Sequence, residues 1–147
     1  MKRSPRAAHL VAAVILILMT VVLYWPVTSY NFITLDDNEY VYENPMVANG
    51  FTWKGLRAAW HKNVVGHWHP LTMLSHMLDV ELFGMFAGAH LAVNLVLHTL
   101  NALLLYWLAV RCGAHALAAL FIASVFALHP LNVENIAWVS PVSYTHL

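Results

Sequence analysis

Charged residues are scarce in this chain, and so is cysteine. Of its 147 residues, 10% are charged and 61% are apolar, whereas an ordinary soluble domain has about 25% and roughly 45–50%. Seven basic residues balance seven acidic ones, so the net positive charge that nucleic-acid binding requires is missing. The single cysteine, Cys112, can form no intrachain disulfide and joins no Cys/His zinc spacing. These absences exclude a nucleic-acid-binding protein and a disulfide scaffold, and the apolar excess predicts a membrane protein.

The chain contains long runs of apolar residues. The first covers residues 7–24 and is long enough to cross the roughly 30 Å hydrocarbon core of a bilayer. It ends at an aromatic anchor and a helix stop, Trp25-Pro26, rather than at a small-residue cleavage site, which indicates an uncleaved signal anchor. Two further runs cover residues 86–110 and 112–128. We therefore predict an all-α, multispanning integral membrane protein with about three transmembrane helices and a helical extracytoplasmic loop.

The basic residues before the first apolar run and after the second set the expected orientation of the chain in the membrane. The positive-inside rule places Lys2, Arg3, Arg6 and Arg111 in the cytoplasm. The N-terminus is then cytoplasmic and the loop over residues 26–84 lies outside. The predicted division of the chain is a basic flank with the first span (1–24), the loop (25–85), the second and third spans with an outer segment (86–139) and a tail (140–147).

Helix signals within the loop argue against a flexible connector. Thr34 followed by Asp37 resembles a capping box and predicts a short helix from residue 36. Thr52 can cap a second helix. After Pro70, leucines recur at steps of three and four and predict an amphipathic helix at the membrane surface. These leucines are Leu71, Leu74, Leu78 and Leu82.

The first candidate for chemistry is the acidic pair Asp36-Asp37. As a structural element, the pair would cap a helix and interact favourably with its dipole. As a functional element, a carboxylate beside a second carboxylate and an apolar wall can act as a general base toward an acceptor hydroxyl. The expected position near the outer membrane face favours the second interpretation.

Histidines form the next candidates. Four lie in the loop, at His61, His67, His69 and His76. The spacing of His67 and His69 puts two imidazoles close together, but Pro70 follows at once and no cysteine completes a ligand set. The histidines either bind a metal or form hydrogen bonds and face a donor phosphate; we assign no metal ligands here.

Polar residues also follow one face of the second span, at His90, Asn94, His98 and Asn101. Such groups at membrane depth seldom face lipid. They therefore indicate either hydrogen bonds between helices or a path for protons or ions. At the end of the third run, Glu134 and Trp138 follow His129-Pro130 and bring another acid to the outer side.

Four motifs, taken together and in order, resemble one family over residues 8–139. They are DDNEYVYENP (36–45), WHPLT with LSHMLD (68–79), HLxxNLxLHxLN (90–101) and ALHPLxVExxAW (127–138). The chain is similar to the multispanning bacterial and animal proteins that join an O-mannosyltransferase-like membrane domain to C-terminal tetratricopeptide repeats. Those proteins belong with the C-type membrane glycosyltransferases that use polyprenyl-phosphate sugars.

This resemblance implies a catalytic acidic pair, which is Asp36 and Asp37, with Asp36 as the base. It also implies a polyprenyl-phosphate-linked sugar as donor, a protein or peptide hydroxyl as acceptor, no other cofactor and a bacterial inner-membrane location. We predict substrate binding by five residues of the motifs: Tyr40, His69, His90, His129 and Glu134.

The resemblance has limits at the end of the chain. Family members continue through further spans into the repeats, and residues 140–147 resemble translated adapter sequence. We therefore expect an N-terminal fragment that is inactive alone. Two other functions remain open: a transporter or channel subunit, for which His98 would matter more than Asp36, and an inactive membrane anchor for a repeat scaffold, for which neither would matter.

Overall fold

A computed structural model describes residues 5–34 and 36–140, and all regular structure within these residues is helical apart from an isolated bridge between Val64 and His67. The all-α prediction is confirmed. Residues 141–147 of the predicted tail (140–147) and the basic residues Lys2 and Arg3 lie outside the described residues. In chain order, the α-helices are α1 (Pro5–Tyr24), α2 (Trp53–His61), α3 (Pro70–Phe83), α4 (Ala87–Arg111), α5 (Ala116–Leu128) and α6 (Val133–Ala137).

Short helical turns fill three of the connections. A 3-10 turn over Trp25–Ser29 follows α1, a π-helical turn over Asn38–Tyr42 precedes α2, and a 3-10 turn over Pro130–Asn132 precedes α6. The predicted short helix near residue 36 is thus present as the π-helical turn. Its N-cap residue is Asp37 rather than Thr34, so the predicted capping box is wrong. The predicted cap of α2 is correct, because the Thr52 hydroxyl accepts the Gly55 N–H at 3.0 Å.

Two helical segments are long and apolar enough to cross a membrane, Ala7–Ser29 and Ala87–Arg111. A third span is possible if Ala116–Leu128 and Pro130–Ala137 act as one bent pair, with an angle of 51° between them. Two features interrupt the helix between these segments. Pro130 has no N–H to donate, and the His129 ring accepts the Leu131 N–H at 3.2 Å, which starts a new turn. The chain is a membrane protein with two or three such helices.

The first of two compact units, here called the membrane unit, comprises residues 94–137 and the described part of residues 1–27. Its buried cluster consists mainly of small side chains, at Ala12, Leu16, Ala102, Tyr106, Ala119, Ala123 and Ala127. Alanines at a helix contact allow the backbones to approach closely, which is how helices associate in lipid. Many of the large apolar side chains of these helices point outward instead, and Leu104 and Phe121 are well exposed.

The second unit, here called the loop unit, comprises residues 28–93 together with the described residues 138–140. Its helix α3 presents an unusual pattern. Leu71 and Leu82 are 72% and 62% exposed, whereas His76 and Asp79 are buried together with Met77. A helix surrounded by water would turn the leucines inward. The outward leucines agree with the amphipathic helix predicted to lie at a membrane surface.

Candidate functional site

The acidic pair lies at the entrance to the π-helical turn of the loop unit. Asp37 is fully buried and both of its carboxylate oxygens accept backbone N–H groups. Oδ2 accepts from Ile33 at 2.8 Å, and Oδ1 accepts from Ser140 at 2.9 Å. Asp36 is also buried, and its backbone carbonyl accepts the Tyr40 N–H at 3.0 Å. Asp37 therefore joins two distant stretches of the chain, a structural role that sequence reasoning did not assign to it.

Opposing influences act on the protonation of Asp37. Burial raises the pKa of its carboxyl above the ordinary value. The N–H groups of Ile33 and Ser140 and the side chain of Trp138 act against this, and the nearby charge of Asp36 adds to it. The net direction is upward, so the Asp37 carboxyl holds its proton more tightly than it would in water.

Tyr40 and His69 connect the acidic turn to α3. The two rings lie 5.3 Å apart at an interplanar angle of 33°, and Tyr40 is buried. The His69 ring also stacks on His67, with centroids 5.9 Å apart, so the predicted proximity of these two imidazoles is confirmed. Burial, and then the charge of His67, lower the pKa of His69 below its usual value. His69 is therefore a neutral imidazole at neutral pH, able to donate or accept one proton.

A second group of buried polar side chains follows on α3 and at the start of α4. It consists of His76, Asp79 and His90. The His90 Nδ1 lies 3.8 Å from an oxygen of Asp79, and its Nε2 is 2.9 Å from the Gly84 carbonyl. Burial lowers the pKa of His76 to about 4, helped by the charges of His90 and His69. Burial raises the pKa of Asp79, against the effect of His90.

An open cleft of about 860 Å³ lies on the loop unit beyond the acidic turn. Its wall carries both signs of charge. Glu39 and Glu43 follow the acidic pair along the chain, whereas Lys54 lies in the first turn of α2 and Lys62 directly follows that helix. The sequence shows these two lysines as basic residues of the segment between the first two apolar runs. It gave no signal for the cleft, because a cleft is formed by segments that are distant along the chain.

The predicted site residues divide between the two units. Asp36, Asp37, Tyr40, His69 and His90 all belong to the loop unit. His129 and Glu134 belong to the membrane unit, where both are exposed. The grouping of His76 and Asp79 with His90 was missed, although the i, i+3 spacing of the first two on one predicted helix was a usable signal.

His98, the central residue of the polar face on α4, has a structural role in the membrane unit. Its Nε2 lies 2.9 Å from the Ala127 carbonyl and donates to it, since a carbonyl can only accept. The rings of Tyr24 and Phe126 lie 5.9 and 5.4 Å from its centroid. This is the helix-to-helix hydrogen bond that the sequence offered as one of two interpretations.

No family model and no solved structure matches the chain. Among curated proteins, the chain is 32% identical over 127 residues to the protein O-mannosyl-transferase Tmtc2 of Drosophila melanogaster. The matched segment covers 80% of the chain but 13% of that relative, so the chain spans about an eighth of the relative's length. The chain is thus similar, over most of its own length, to a protein O-mannosyl-transferase.

Proposed function

We propose that the chain is the N-terminal part of a membrane glycosyltransferase that moves a sugar, in this proposal mannose, from a polyprenyl phosphate to Ser or Thr hydroxyls of a protein on the extracytoplasmic side. The observation that carries the proposal is the buried pair Asp36-Asp37, placed in one compact unit with Tyr40 and His69. The similarity to a protein O-mannosyl-transferase supports the same reaction class.

Asp36 acts as the general base in this proposal. It takes the proton of the acceptor hydroxyl as the hydroxyl oxygen bonds to the anomeric carbon of the sugar. The bond from that carbon to the phosphate oxygen breaks, and the phosphate leaves from the opposite face with the electron pair, so the configuration inverts. Asp37 holds the backbone around the base, because its two oxygens are bonded to Ile33 and Ser140.

The leaving phosphate needs positive charge near it. Lys54 and Lys62 line the cleft that also contains Glu39, two residues after Asp37. The exposed leucines of α3 support a lipid-borne donor, since a helix with such a face lies at the level where a lipid headgroup emerges. The proposal therefore places donor phosphate and acceptor hydroxyl at the loop unit.

The base is tested by Asp36→Asn in the complete reading frame that contains this segment. The amide keeps the size of the side chain but cannot take up the hydroxyl proton. We expect transfer from polyprenyl-phosphate-mannose to a Ser/Thr-rich peptide to fall by about a hundred- to ten-thousand-fold with normal expression, the usual range for a general base. Radiolabelled peptide measures the rate.

The matched control is Glu81→Gln, which neutralises an exposed carboxylate of the same unit outside the cleft and keeps an oxygen that can accept the Phe51 N–H. It should keep most of the activity. Transfer at the wild-type rate by the Asp36→Asn enzyme would leave the acidic pair as a structural element only.

The alternative function, a transporter or channel that uses the polar face of α4, finds no support at His98, because that ring is already bonded to the Ala127 carbonyl.

The extracytoplasmic location is tested by cysteine labelling in intact cells. A cysteine placed at Asn49, which is exposed in the loop unit, should react with a membrane-impermeant reagent, whereas Cys112 should react only after permeabilisation. Both positions are exposed, so a difference between them reports the side of the membrane. The opposite labelling pattern contradicts the proposed outer site.

A further inference from the structure

Three buried side chains of the loop unit converge in a manner that hydrogen bonding does not explain. His76, Asp79 and His90 each offer one ligand atom, and these atoms lie within 4.8 Å of one another. His76 is only 6% exposed, and neither of its ring nitrogens has a hydrogen-bond partner among the described residues. A buried imidazole without partners is costly, because both nitrogens have lost their water.

His90 is oriented as metal-bound histidines usually are. Its Nε2 lies 2.9 Å from the Gly84 carbonyl, so this nitrogen carries the proton. Its Nδ1 then has a free lone pair, which faces Asp79 at 3.8 Å. A histidine ligand typically donates its other N–H to a backbone carbonyl or carboxylate, which fixes the tautomer and the ring plane.

A proton alone does not account for the cluster. A second proton on His90 would form an ion pair with Asp79, but 3.8 Å is long for a hydrogen bond, and His76 would remain without a partner. A cation among the three groups would attract the lone pairs of both histidines and the charge of the carboxylate at once.

The donor set selects the kind of ion. Two imidazoles and one carboxylate suit a borderline divalent transition metal ion rather than Mg²⁺ or Ca²⁺, which prefer oxygen ligands. In a tetrahedral zinc site with bonds of about 2.0–2.2 Å, the ligand atoms are about 3.3 Å apart. The ligand atoms here lie within 4.8 Å of one another, with 3.8 Å between His90 and Asp79, so rotations of the side chains toward one another would close the site.

We propose that His76, Asp79 and His90 bind one Zn²⁺ ion, with a fourth coordination position open to water or another ligand. The ion would fasten α3, which carries two of the ligands, to the first turn of α4. The proposal departs from the sequence analysis, which assigned no metal ligands and gave His90 to substrate. It does not depend on the proposed transfer reaction.

Zinc binding is measured on the 147-residue chain in detergent, purified with a histidine-free affinity tag and stripped with a chelator. We expect ZnCl₂ titration followed by elemental analysis to give one Zn²⁺ per chain, together with a rise in the unfolding temperature. Co²⁺ in place of Zn²⁺ should give the intense visible absorption of a four-coordinate ion. These readouts do not involve enzyme activity.

Variants assign the ion to its ligands. His76→Ala and His90→Ala should each weaken zinc affinity by more than about 100-fold, since loss of a ligand exceeds the 10–100-fold cost of losing an outer partner. His61→Ala removes an exposed histidine of the same unit and should bind as the wild type does. If the alanine variants fail to fold, Asp79→Asn keeps the side-chain shape and should abolish the Co²⁺ absorption.

Three results overturn the proposal. The first is a wild-type chain that takes up no Zn²⁺, which would leave the cluster as protonated or hydrated side chains. The second is equal zinc uptake by the wild type and Asp79→Asn, and the third is a loss in His61→Ala as large as that in His76→Ala. Either of these would place the ion elsewhere.

Discussion

The two compact units of this chain differ in the polar side chains that they bury beside their apolar cores. The membrane unit buries alanines, and its central histidine, His98, is bonded to a backbone carbonyl. The loop unit buries acids and histidines, and several ring nitrogens of the histidines have no hydrogen-bond partner among the described residues. Both units leave large apolar side chains exposed.

This difference shows which buried groups serve only helix packing and which could also bind a ligand. Where Ala119 and Ala123 are buried, small size allows close helix contact, and nothing there requires a ligand. Where Asp37, His76 and Asp79 are buried, the chain bears a desolvation cost that is tolerated when the groups are bonded or hold a ligand. The loop unit is therefore where substrate and metal are to be sought, and mutations should affect the two units for different reasons.

The largest effect expected on stability is that of Asp37→Asn in the loop unit. The single amide oxygen can accept only one of the two N–H groups now bonded by Asp37, and the amide NH₂ would face the other. We expect the free energy of unfolding to fall by about 1–3 kcal/mol, the cost of one unpaired buried polar group. Denaturant titration in detergent, followed by tryptophan fluorescence, measures it.

Glu39→Gln is the control for this substitution, since Glu39 is an exposed acid two residues further on. Its effect should stay within about 0.5 kcal/mol, as for most surface changes. Equal stabilities of the two variants would show that the bonds to Ile33 and Ser140 are dispensable.

In the membrane unit, we expect a larger side chain at a buried alanine to lower the free energy of unfolding, even though the polarity is unchanged. Ala123→Leu adds volume at a fully buried position of α5, and we expect a loss of about 1–3 kcal/mol through overpacking. Val125→Leu, at a half-exposed position of the same helix, should be neutral. Unfolding curves that do not distinguish the two leucine variants would contradict the alanine contact.

The sequence predicted the helices better than it predicted the contacts between distant residues. Apolar runs of about 20 residues predict spans because the bilayer fixes their length, and Ala7–Ser29 and Ala87–Arg111 agree with that prediction. The cap at Thr52 was also predictable, since a cap involves residues only three positions apart.

The bonds of Asp37 were not predictable in the same way. Its link to Ser140 joins residues 103 positions apart, and no local pattern contains that information. The outward leucines of α3 were anticipated from their spacing. The opposite face of that helix holds His76 and Asp79, and the sequence analysis did not connect these two residues with His90. The three side chains form a group only because the fold places the start of α4 beside α3.

The smallest expected effect is a pH dependence of loop-unit stability, because burial and hydrogen bonding act on Asp37 in opposite directions. The pKa of Asp37 is raised in the folded chain above its value of about 3.9 in an unfolded chain. Its contribution to stability is therefore complete below the unfolded pKa and is lost as the pH rises through the folded pKa. The stability of the wild type relative to Asp37→Asn should decrease as the pH rises above about 4, the unfolded pKa, until it passes the folded pKa. Removing the neighbouring charge with Asp36→Asn should lessen that decrease, since the charge of Asp36 raises the pKa of Asp37. A relative stability that grows with pH instead would mean that the two N–H bonds outweigh burial, and that Asp37 is held as an ordinary bonded carboxylate.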